Sequence, residues 1–161
     1  MREITLKVYE FDELSEEVQE KVLDNHRYVE VEYHDWWDHI YDMALEEGVE
    51  ILSFNTHQRD IEVRVSDDFD EDSARKEILE REEMALELLS NLDDEYSDIE
   101  DLIEDKIEES REEHEREKQE EAAEKWIDML IKEEGYLTSD EYVREFLINN
   151  NYEFYENGEV A

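Results

Sequence analysis

Proline is absent from this chain, and glycine occurs only at positions 48, 135 and 158. A backbone without its usual breakers favours long helices and disfavours a turn-rich all-β fold. At the N-terminus Ile4, Leu6 and Val8 alternate with Thr5, Lys7 and Tyr9, the period of a half-buried strand. Ser15 stands where it can cap a helix whose apolar positions are Val18, Val22 and Leu23. A second helix is predicted from about His34 to Glu47, with Gly48 as its terminating residue. Ile51–Phe54 and Ile61–Val65 are β-like runs, and the turn formers from Asn55 to Asp60 join them as a hairpin.

Helical periodicity returns at Ser73, through Ile78, Leu79, Met84, Ala85, Leu88 and Leu89. Polar residues Asn91–Asp94 predict a loop. Ile99, Leu102, Ile103 and Ile107 open another helix, and Trp126, Ile127, Leu130 and Ile131 close it before Gly135. Between them, Glu108–Glu121 offers nothing a core would want, yet Glu, Arg, Lys and Gln are strong helix formers, so one solvated helix is expected. Pairs at i,i+4, Glu112–Arg116 and Glu121–Lys125, support it. Ser139 with Tyr142, Phe146 and Leu147 predicts a short final helix, and Tyr152, Phe154 and the Asn157-Gly158 turn a closing strand.

The order β-α-α-β-β-α-α-α-β predicts an α+β fold: a small, mainly antiparallel sheet packed with several helices, plus a long acidic helix or helical hairpin. The chain is expected to be a single domain over 1–161. Residues 1–92 would form an α/β core, 93–135 the acidic helical segment, and 136–161 a helix and strand returning to the core. No internal repeat is present. With 39% apolar and 11% aromatic residues, the chain has the means to build a core that acidic disordered tails lack.

Charge then bounds the partners. Asp and Glu number 54 against 16 Lys and Arg, for a formal net charge of −38. Unaided binding to DNA or RNA is excluded, because phosphates demand clustered cations, and anionic membranes are excluded for the same reason. No cysteine means no disulfide framework and no thiolate ligand or nucleophile. The opening MREITLKVYE lacks an apolar signal segment and no run approaches a membrane span, so a cytoplasmic protein is expected.

The segments YEFDELSEEVQEKV and DWWDHIYDMALEEGVEILSF, together with EEGYLTSDEYVREFLINNNYEFYENG, resemble small uncharacterised proteins common in bacteriophages and prophages. The likeness spans roughly residues 8–66 and 120–160. Leu137, Thr138, Ser139 and Asp140 match closely, as do Asn151–Phe154 and Gly158. In the middle, HQRDIEVRVSDDFDEDSARKE replaces a Gly- and Cys-containing segment that many members carry. The resemblance implies phage origin and a shared fold, and supplies no catalytic residue.

Motifs for chemistry are sparse. His34 and His39 lie about 140° apart around a helix and cannot share an ion, so Tyr33–His39 is expected to pack Trp36 or Trp37, Ile40 and Tyr41 into the core. Asp68, Asp70 and Asp72 imitate three positions of a calcium loop, but Ser73 stands where its glycine belongs and Leu79 where its bidentate glutamate belongs. There is no G-x-S-x-G, no glycine-rich phosphate loop and no H-E-x-x-H, so no enzyme activity, cofactor or metal is expected.

The acidic helix carries the functional expectation. Sixteen acids and four bases fall between Asp93 and Glu121, an excess of twelve over 29 residues. At about 1.5 Å per residue this is one net charge per roughly 3.6 Å, against about 3.4 Å per phosphate of one DNA strand. The partner-binding candidates are Asp93, Asp94, Glu95, Asp98, Asp101, Glu104, Asp105, Glu108, Glu109, Glu112 and Glu113, with Asp67, Asp68, Asp70 and Asp72 as a second line. Exposed aromatics such as Tyr96 or Tyr136 are candidate anchors. The expected function is a phage anti-defence protein that mimics nucleic acid in the basic groove of a CRISPR–Cas effector or a restriction enzyme. The alternative is an acidic antitoxin-like or regulatory phage protein bound to one basic partner.

Overall fold

The computed structural model describes the backbone of residues 7–89 and 96–161, and the side chains of 7–81 (Tyr33 excepted) and 101–161. The fold is α+β. Strand β1 (Tyr9–Glu10) leads through a 3-10 turn (Phe11–Glu13) into helices α1 (Glu16–His26), α2 (Val29–Tyr33) and α3 (Asp38–Glu46). A hairpin of β2 (Val49–Asn55) and β3 (Asp60–Val65) follows, then α4 (Glu71–Leu89), α5 (Tyr96–Leu137), α6 (Asp140–Asn149) and β4 (Glu153–Phe154). The chain divides into two compact units, residues 1–42 with 128–161 and residues 43–127, so the boundary falls within α3 and within α5.

The first unit is closed by its two ends. β1 pairs antiparallel with β4, Tyr9 opposite Phe154 and Glu10 opposite Glu153. Behind this ribbon Phe11, Leu14, Val22, Val143, Leu147 and Phe154 form a buried cluster, with Val18, Leu23, Phe146 and Tyr152 packed around it. Burying each large apolar side chain of this cluster contributes about 1.5–3 kcal/mol. α6 starts where Ser139 accepts a hydrogen bond from the Tyr142 N–H at 3.2 Å. Ser15 occupies the N-cap position of α1 without a side-chain capping bond.

In the second unit Val49 pairs with Val65, Ile51 with Val63 and Phe54 with Ile61, and a register shift falls between Ile51 and Ser53. Val49 and Ile51 are buried while Glu50 meets Arg64 across the outer face at 2.7 Å. Gly48 ends α3 with φ +78, and an added Cβ there would meet the Ser66 hydroxyl at 2.7 Å. Asp70 starts α4 by accepting from the Ser73 N–H at 3.0 Å and from its hydroxyl at 2.7 Å.

Several expectations change. The described strands form two separate two-stranded ribbons rather than one sheet, because the closing strand pairs with the N-terminal one and the hairpin pairs only with itself. The helix expected from His34 starts at Asp38; His34 is extended, ending the short α2 that periodicity missed. α5 runs through Gly135 to Leu137, since a single glycine with nothing packed against it costs only about 1 kcal/mol and the Thr138 hydroxyl completes the turn on the Glu134 carbonyl at 2.8 Å. The expected strand over residues 4–8 and the loop at 91–94 lie largely or wholly outside the described residues.

Candidate functional site

Helix α5 is continuous through Glu108–Glu121, the stretch without apolar residues. Its inward face explains how. Ile103, Ile107 and Ala122 are buried, and between them Arg111, His114 and Lys118 keep the same stripe, half-buried. The spacing 103, 107, 111, 114, 118, 122 is one helical face throughout. Polar side chains thus continue a buried stripe by laying apolar stems inward and carrying charged heads to partners.

Those partners are the acids just before and at the start of α4. Arg111 bridges Asp67 at 3.4 Å and Glu71 at 2.8 Å, and its guanidinium lies over the Phe69 ring, 4.9 Å from the centroid. His114 Nε2 lies 3.1 Å from Asp68 Oδ1, and its ring stands 5.6 Å from that of Phe69. Lys118 donates to the other oxygen of Asp68. The Asp68 carboxyl is held below its ordinary pKa, first by Lys118 and then by His114. Asp70 is lowered by its bonds to the Ser73 N–H and hydroxyl.

The second acidic line is therefore a clasp rather than a free anionic surface. Asp67, Asp68 and Glu71 hold the bases of α5, Asp70 caps α4, and Asp72 sits exposed in the first turn of that helix. Attraction between exposed charges is individually weak, so the clasp gains from being a network with Phe69 at its centre. Sequence reading missed it because the acids and bases lie about 45 residues apart. The available signal was the i, i+3, i+7 spacing of Arg111, His114 and Lys118 in line with Ile103 and Ile107.

The helix candidates separate into three groups. Asp93, Asp94, Glu95 and Asp98 lie outside the residues whose side chains are described. Glu104 meets Arg75, Glu108 lies 3.8 Å from Arg111, and Glu113 lies 3.7 Å from Arg116. Arg116 thus turns back to Glu113 instead of Glu112, and Lys125 reaches Glu47 and the face of Trp126 (4.7 Å to the ring centroid) instead of Glu121, so neither expected i,i+4 pair forms. Asp101, Asp105, Glu109 and Glu112 are exposed and make no ion pair or hydrogen bond among the described residues.

These four acids lie on the side of α5 away from Arg111, His114 and Lys118. They are spaced four, four and three residues apart, about 5.5 Å of rise for each interval. One face of the helix therefore offers roughly two carboxylates for every three phosphates of a strand, a wider spacing than the net charge of the whole segment implied. Around Tyr33–His39, Trp36 and Ile40 are buried and Trp37 and Tyr41 half-buried, the packing role expected of that segment. No group of three or more potential metal ligands occurs among the described residues, and no helix among them is long and apolar enough to cross a membrane. Comparison with protein-family models, with curated proteins and with solved structures finds no match to this chain.

Proposed function

We propose that the protein is a phage anti-defence inhibitor that mimics nucleic acid. It occupies the basic DNA- or RNA-binding groove of a bacterial immune nuclease, a CRISPR–Cas effector ahead of a restriction enzyme. The observation that supports this reading is the separation of charge on α5: Arg111, His114 and Lys118 turn toward Asp67, Asp68 and Glu71, while Asp101, Asp105, Glu109 and Glu112 face outward unpaired among the described residues. A rigid helix holding carboxylates at fixed intervals binds a cationic groove without first ordering itself, and long-range attraction speeds the encounter. The resemblance to phage proteins supplies a reason for such a surface.

The test is an interference assay in bacteria carrying an active CRISPR–Cas or restriction system. The wild-type chain should protect an infecting phage. Changing Asp101, Asp105, Glu109 and Glu112 to Lys should abolish protection with the helical circular dichroism unchanged. The same four-charge reversal at exposed Glu20, Glu145, Glu156 and Glu159 should leave protection largely intact. Equal loss in both variants would refute mimicry through this face. Failure to protect against any nuclease, with capture of a toxin from lysate, would favour the antitoxin-like alternative.

A further inference from the structure

On the first unit, Tyr136 near the end of α5 stands edge-to-face with Tyr142 of α6, ring centroids 5.2 Å apart and planes at 65°. Tyr136 is 53% exposed, and Tyr142 is half-buried beside it. The exposed ring of Tyr136 and the half-buried ring of Tyr142 thus meet at an angle and form a corner. A carboxylate borders it. Glu133 lies one turn before Tyr136 on the same helix, and it is half-buried with its carboxylate 3.8 Å from His39 Nε2. Burial raises the pKa of the Tyr142 hydroxyl, followed by the charges of Glu30, Tyr136 and Glu133 in that order.

Lys132 is exposed one turn before Tyr136, and Arg27, the other nearby cation, is already engaged. Arg27 donates to the Thr138 carbonyl at 2.9 Å and bridges Asp24 at 2.7 Å and Asp140 at 2.8 Å. Elsewhere in the chain Arg111 stacks on Phe69 and Lys125 on Trp126. Among the described residues no cation stacks on Tyr136 or Tyr142. Aromatic faces attract cations through their negative quadrupole, most strongly when a carboxylate lies nearby to balance the charge.

We propose that Tyr136, Tyr142 and Glu133 form a receptor for one cationic side chain, a guanidinium or ammonium, projecting from a basic partner protein. The identity of that partner rests on the reading above; the chemistry of the corner does not. The site gives the contact an anchor with geometry, where the carboxylates of α5 give attraction without a fixed register.

A charged peptide would bind a chain of −38 almost anywhere, so the probe is monovalent. Acetyl-arginine methylamide is titrated into the full-length protein at constant ionic strength, with sodium chloride as the control, and the tyrosine ring signals are followed by nuclear magnetic resonance. Saturable shifts centred on Tyr136 and Tyr142 are expected. Tyr136→Ala should abolish them at Tyr142. Glu133→Gln should weaken binding several-fold, and Tyr142→Phe, which keeps the ring, should retain it. Tyr136 is exposed, so its loss tests the site without unfolding the unit. Shifts spread evenly over acidic surface residues, or unchanged at Tyr142 in Tyr136→Ala, would overturn the proposal. The two readings fail separately: in the interference assay, reversal on α5 tests charge mimicry, and Tyr136→Ala removes the corner while conserving every charge.

Discussion

Replacing Gly135 or Gly158 by alanine makes the same chemical change and should move stability in opposite directions. Gly135 lies inside α5, and an added Cβ there meets nothing within 4 Å. The gain is helix propensity alone, about 0.5–1 kcal/mol, toward the lower end because the helix ends two residues later. Gly158 has φ +83, where an alanine costs about 1–2 kcal/mol. Its Cβ would stand 2.9 Å from Val22 Cγ2 and 3.0 Å from Val18 Cγ1. β-Branched side chains are stiff at χ1, so these methyls cannot swing aside, and overpacking adds about 1–3 kcal/mol. The total loss is roughly 2–5 kcal/mol.

At about 2–4 °C per kcal/mol for a chain of this size, Gly135→Ala should raise the melting temperature by about 1–4 °C, while Gly158→Ala lowers it by at least several degrees. Both glycines belong to the same unit, so thermal unfolding followed by far-ultraviolet circular dichroism reads them on one transition. Adding Val18→Ala to Gly158→Ala should relieve part of the crowding and none of the backbone strain. A Gly158→Ala variant as stable as wild type would refute this reasoning, as would a Gly135→Ala variant clearly less stable than wild type.

Leu147→Ala, at a fully buried position, should cost about 2–5 kcal/mol in urea unfolding, whereas Leu102→Ala, at 47% exposure, should stay within about 0.5 kcal/mol. Asp68 is held below its ordinary pKa by Lys118 and His114, so its contribution is present above the unfolded value near pH 4 and is lost as pH falls through the folded one. Asp68→Asn should therefore flatten the acid limb of stability against pH relative to wild type; parallel curves would sink the clasp's role. Arg111→Met, which keeps the apolar stem, should be less destabilising than Arg111→Ala, measured by the same unfolding curves. Binding of any basic partner should weaken steeply between 50 and 200 mM salt in a salt-series titration, and a salt-independent affinity would contradict charge mimicry.

The α+β class was legible because scarce glycine, absent proline and 3.6-residue periodicity are local properties, and local properties survive in the fold. The hairpin at Asn55–Asp60, α6 with its Ser139 cap and the Asn157-Gly158 turn appeared where short-range rules put them. Leu102 and Ile103, both among the apolar residues that open α5, part company in the fold: Ile103 is buried and Leu102 exposed. Both belong to an apolar run, and only packing decides which of two adjacent helix positions faces inward.

The candidate site was half legible. The sequence alone set the excess of acid on α5. Which carboxylates remain free is a tertiary fact. It depends on chain segments about 45 residues apart meeting, so that Arg111 and Lys118 find Asp67, Asp68 and Glu71 and leave Asp101, Asp105, Glu109 and Glu112 facing water. The pairing of Tyr136 with Tyr142 across the turn between two helices is likewise decided only when those helices pack. Charge is additive along a chain and can be counted. The direction in which each charge points is set by what its helix must bury.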